Sequence, residues 1–80
     1  MYSGKMKIKR FELVNAADGW PCHVVCVDRE QGGKMVRTWS TDGQQLEVVE
    51  GEHYPSLVLP GTKTSFVMPD ADEGDGYTPQ

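Results

Sequence analysis

The stretch KMKIKRFELV, residues 5–14, changes phase halfway along. Met6 and Ile8 place apolar side chains on even positions, whereas Phe11 and Leu13 place them on odd ones. Successive side chains of a β-strand point to opposite faces, so a one-residue slip sends every later group to the other side. The simplest reading is one strand with a β-bulge around Lys9-Arg10, where two residues oppose one and the chain bends. That reading turns Met6, Ile8, Phe11 and Leu13 toward one core. A bent first strand helps a small sheet curl and close.

Outward from this stretch, the chain reads as short strands divided by turn chemistry. NAADGWP (15–21) is a loop: Asp18-Gly19 suits a positive-φ turn, Pro21 interrupts a ladder, and a single helical turn over 15–18 is the most it can hold. CHVVCVD (22–28) is apolar on both faces, Cys22, Val24 and Cys26 against Val25 and Val27, as in a central strand covered on both sides. REQGGK (29–34) reads as a loop with a Gly32-Gly33 hairpin signal, and KMVRTWS (34–40) as a strand rich in β-formers. Asp42-Gly43 joins it to QLEVVEG (45–51) by a tight hairpin. SLVLPG (56–61) is a short strand ending in a type II turn at Pro60-Gly61, and TKTSFVM (62–68) is the last strand. PDADEGDGYTPQ (69–80) has almost no apolar content and reads as a flexible acidic tail.

The expected fold is therefore all-β: one domain over 1–68, with five to six antiparallel strands, built as a partly open barrel of the SH3-like or OB-like sort or as a compact sandwich. Eighty residues bury only about 60–65% of the unfolded surface, so stability is a few kcal/mol and self-association would add to it. No apolar run is long enough for a spanning helix, and residues 1–5 lack the apolar core of a signal peptide. Cys22 and Cys26, four apart, lie about 13 Å from each other in an extended strand, beyond disulfide reach. Free thiols and the absent leader pattern give a cytoplasmic expectation.

Charge is unevenly spread. The net value is −4. Residues 1–14 hold Lys5, Lys7, Lys9 and Arg10 against Glu12, while residues 42–60 hold Asp42, Glu47, Glu50 and Glu52 with no cation. Pairing of the basic strand with the Glu47/Glu50 strand is the expected neutralisation.

Catalytic and metal chemistry find little support. Cys22, His23, Cys26 and His53 are the soft ligands, but C-x3-C on a straight strand separates the thiols and turns His23 away, so no metal is expected. The same geometry denies Cys22 a histidine base, and a chain this short rarely encloses a substrate cleft, so the expectation is a non-enzyme without cofactor. GTKTS (61–65) lacks the spacing of a phosphate loop, and DADEGD (70–75) misplaces the glycine of a calcium loop.

Two binding readings remain. The first is a protein-interaction module: a homo-oligomer or a small accessory or inhibitory regulator of a larger protein, a profile shared by many viral accessory proteins. Its expected contacts are Trp20, Glu50, Glu52, His53 and Tyr54, with Asp70, Asp72 and Glu73 of the tail, since exposed aromatics anchor interfaces and acidic groups steer encounter. The second is an OB-like single-stranded nucleic-acid binder using Lys5, Lys7 and Lys9 with Trp39 for stacking; twelve acids against eight cations disfavour it.

Overall fold

The computed structural model describes residues 6–70 and the strand 75–77. It is all-β: six antiparallel strands curl into a half-barrel, and no helix occurs among the described residues. The strands are β1 (Met6–Val14), β2 (Pro21–Gln31), β3 (Lys34–Thr41), β4 (Gln44–Val49), β5 (Ser56–Val58) and β6 (Ser65–Val67), and a short β7 (Asp75–Tyr77). Their order across the sheet is β6-β5-β4-β3-β2-β1-β7, a meander in which each chain neighbour up to β6 is a spatial neighbour. Of the expected tail, residues 71–74 and 78–80 lie outside the described residues; β7 runs antiparallel to β1, with Ile8 opposite Tyr77.

Curling comes from a stagger along β4. Its first half, Gln44–Leu46, pairs with Thr41–Trp39 of β3, and its second half pairs with β5, Glu47 opposite Val58 and Val49 opposite Ser56. Such a sheared register tilts the strands and brings a sheet round toward closure. Closure is completed at one corner by the β1–β2 loop. The amide N–H of Ala16 donates to the Ser65 carbonyl (2.8 Å), and that of Ser65 donates to the Asn15 side-chain oxygen (3.3 Å).

The enclosed core consists of Val24, Cys26, Trp39, Leu46, Leu57 and Phe66, with Phe11, Leu13, Cys22, Leu59 and Met68 packed against it. Trp39 and Phe11 meet as tilted rings 5.6 Å apart.

Several expectations are corrected. The first strand carries no bulge: the β1–β2 register is unbroken from Met6 opposite Arg29 to Val14 opposite Pro21. Phe11 and Leu13 therefore face the core with Val24 and Cys22, while Met6 and Ile8 lie on the outer face with Arg29 and Val27. The change of phase means that one strand serves two faces. The basic strand does not neighbour Glu47 and Glu50, because β2 and β7 occupy its two edges; Lys7 stands opposite Asp28 instead. Residues 29–31 continue β2, leaving a two-residue turn at Gly32 and Gly33, both at positive φ (57° and 81°). Pro21 does not interrupt the ladder but opens β2, a position where its missing N–H is tolerated. The last main strand shrinks to Ser65–Val67, because the Thr62 hydroxyl donates to the Leu59 carbonyl and holds residues 59–64 in a wider turn.

Candidate functional site

Strand direction decides which loops share an end of the half-barrel. Along an antiparallel meander the β1–β2, β3–β4 and β5–β6 connections lie at one end, and the β2–β3 and β4–β5 connections at the other. Trp20, 70% exposed in the first of these loops, is thereby separated from Glu50, Glu52, His53 and Tyr54, all exposed in the β4–β5 loop. The expected contact residues are on the surface, but the fold does not gather them into one patch. Asp70 is exposed; Asp72 and Glu73 lie outside the described residues.

The Trp20 loop is built by its own hydrogen bonds. Asn15 is buried, its side-chain oxygen accepts from the Ala17 amide (3.0 Å), and its carbonyl accepts from the Gly19 amide (2.7 Å), closing one helix-like turn. The Asp18 carboxylate accepts from the Trp20 amide (2.9 Å) and fixes the backbone that carries the indole. In the β4–β5 loop the Gly51 backbone lies directly against the Tyr54 carbonyl, in space that a Cβ would fill.

Of the basic first strand, Lys7 and Lys9 lie on the inner face below the core and Arg10 on the outer face. Lys7, Asp28 and Arg37 form one cross-strand row, cation, acid, cation, with Lys9 in the next row beside Cys26. Asp28 is buried, and the Arg37 hydrogen bonds hold its carboxyl below the usual carboxylate range. Trp39 does not join this row as a stacking platform; it is 3% exposed and its ring is taken up by Phe11. Lys5 lies outside the described residues. The nucleic-acid arrangement expected from sequence thus retains two lysines and loses its aromatic.

The soft ligands are dispersed. Cys22 and Cys26 are free thiols on the inner face, His23 lies on the outer face opposite Glu12, and His53 belongs to the loop at the far end. Among the described residues no three His, Cys, Asp or Glu side chains stand close enough to hold a metal ion.

The surface that sequence reasoning missed is the outer face of β1–β3. Register places Ile8 beside Val27 and Thr38, Val25 beside Arg10 and Ser40, and Met6 beside Arg29 and Val36. None of these apolar groups belongs to the core; Ile8, Val25 and Val27 are half-buried by neighbours in the sheet, and Val36 is exposed. A shallow recess lined by Val27, Arg29, Gln31, Val36 and Thr38 opens on this face. At its upper end the exposed Val14 lies opposite Pro21, next to Trp20. The available signal was the apolar character of residues 24–27 on both faces. Comparison with protein-family models, with curated proteins and with solved structures returns no match.

Proposed function

We propose that this chain is a non-catalytic protein-interaction module that docks through the outer face of β1–β3. One observation carries this reading: a second apolar face, Ile8, Val25, Val27 and Val36, lies opposite the core and contributes nothing to it. Apolar surface set among polar groups is characteristic of interaction sites; here Arg10 stands beside Val25, Arg29 between Met6 and Val36, and Glu12 and Gln31 lie beyond. A sheet that is apolar on both faces is stable in water when a second layer covers it. Two free cysteines suit action in a reducing compartment such as the cytoplasm.

The test is a photoreactive amino acid placed at position 36 and irradiated in cells that express the protein. A discrete protein adduct is expected, absent when the same probe replaces the exposed Lys63. Equal, diffuse labelling from both positions would remove the proposal.

A further inference from the structure

We infer that the recess on the outer face of the β2–β3 hairpin binds a short linear segment of a partner protein, one aliphatic side chain flanked by a carboxylate. This rests on the docking face proposed above and names the chemistry of its partner. Room for the aliphatic group is the first argument. Two cross-strand pairs, Val27 with Thr38 and Arg29 with Val36, form the walls, and Gln31 closes the tip end. The recess holds about 120 Å³. An apolar cavity of about 150 Å³ takes a benzene ring, so this space suits one branched aliphatic side chain laid against the two valines.

Charge supplies the second argument. Arg29 stands between Met6 and Val36 and donates through Nη2 to the Met6 sulfur at 3.5 Å. A thioether is a weak acceptor, and Arg29 makes no ion pair among the described residues. Its neighbours in the strand, Asp28 and Glu30, project to the inner face, where Arg37 takes up Asp28. Glu12 lies three rows off, roughly 20 Å along the sheet. Glu47 belongs to β4, which parts from β3 after Leu46 to join β5. Lys34, opposite Gln31, adds a second cation beside the recess. On a chain of net charge −4, this end of the outer face is a cationic rim around methyl groups, and it attracts an acidic segment. A guanidinium holds a carboxylate through two parallel hydrogen bonds. Same-face residues of a strand lie about 6.7 Å apart, so a segment seated over Val27 and Val36 meets Arg29 within two residues of its aliphatic group.

Two synthetic peptides test this in amide chemical-shift titrations of the full chain: acetyl-Ser-Asp-Leu-Asp-Ser-amide, and the same peptide with asparagine for both aspartates. The acidic peptide should shift the amides of Val27, Arg29, Val36 and Thr38 and bind at least about fivefold more tightly than the neutral one. Added salt should narrow that gap. Arg29→Gln should bring the two peptides level while circular dichroism stays unchanged. Should that variant fail to fold, Val36→Asp serves instead: an acid set in the recess should abolish binding of the acidic peptide. Equal affinities in the parent, shifts located elsewhere, or no shifts up to the solubility limit overturn the inference. If the position-36 probe still forms a discrete adduct in cells while the acidic peptide is inert, the assigned chemistry falls and the docking face stands; loss of both removes both.

Discussion

Arg37 and Asp28 face each other across β3 and β2, and the guanidinium donates two hydrogen bonds to one carboxylate, Nε to Oδ1 at 2.6 Å and Nη2 to Oδ2 at 2.9 Å. The acid side chain is 12% exposed and the arginine 47%, so the pair sits where the core gives way to solvent. Arg37 lowers the Asp28 pKa against the upward push of burial. A carboxyl depressed in the folded state contributes stability above its unfolded value of about 3.9, and that contribution disappears as the pH falls through the folded value. Arg37→Ala should cost about 1–2 kcal/mol at neutral pH, discounted for the exposed arginine. In urea titrations the gap to the parent should narrow below about pH 4. A gap constant with pH would show that the pair is not the cause.

The buried Asn15 fastens the β1–β2 loop to β6, with its side-chain oxygen accepting from two backbone amides, Ala17 and Ser65. Asn15→Ala should cost about 2 kcal/mol, because both amides lose their acceptor. Its other contact, Nδ2 to the Thr64 hydroxyl at 3.5 Å, is long, so Thr64→Val should cost under about 0.5 kcal/mol. Amide hydrogen exchange at Ser65 should quicken in the first variant and not in the second.

Gly51 is required for contact rather than for conformation. Its φ is not positive, yet an added Cβ would run into the Tyr54 backbone carbonyl. The β4–β5 loop must shift to admit alanine, a strain of about 1–3 kcal/mol. Glu52→Ala, on an exposed position of the same loop, should stay within about 0.5 kcal/mol of the parent. Equal urea midpoints for the two variants would refute the steric account.

The turns were legible because their chemistry is local. Asp42-Gly43, with φ of 51° and 76°, and Pro60-Gly61, with Gly61 at 79° and the Thr62 amide donating to the Leu59 carbonyl, have the conformations their residues demand. The antiparallel succession of short strands follows from those turns; the curl depends on the stagger along β4 and on the contact of the β1–β2 loop with Ser65. The outer face was not legible, because assuming a single core made a bulge out of a strand that serves two faces. Residues 29–31 read as loop on their polarity, yet both faces of the hairpin arm are solvated near its tip, and there polar side chains pair as readily as apolar ones. For the site, loop composition placed Trp20 and Tyr54 in loops, but whether Trp20 was buried or exposed depended on what packs against its loop. Their placement at opposite ends depends on the number of strands between them, which no local pattern encodes.

The two tryptophans should separate in fluorescence. Trp39 is 3% exposed and Trp20 70%. Iodide should quench part of the parent emission, and Trp20→Phe should leave a blue-shifted band that iodide barely touches. Trp39→Ala should cost about 3–5 kcal/mol through the lost core volume, whereas Trp20→Ala should stay within about 0.5 kcal/mol. A fully quenchable Trp20→Phe protein would contradict the core assignment.

The two thiols should separate in reactivity for a related reason. Cys26 is buried among core side chains, and burial pushes its thiol pKa up from the ordinary value, with the Asp28 carboxylate adding to the effect against Arg37 and Lys9. The thiolate is the reactive form, so both access and ionisation protect it. Cys22 is half-buried at the top of β2, its sulfur 4.0 Å from the Trp20 carbonyl oxygen, and shares a shallow recess with His23, Thr41 and Asp42. Iodoacetamide at mildly alkaline pH should therefore modify Cys22 in the native protein, with Cys26 reacting only after urea unfolds the sheet. Both thiols fall in the tryptic peptide 11–29, so fragment-ion mass spectrometry of that peptide, taken from quenched protein at intervals, locates the label. Cys26→Ala should leave the native labelling rate unchanged, and Cys22→Ala should abolish it. Comparable labelling of both thiols in the folded protein would place Cys26 outside the core.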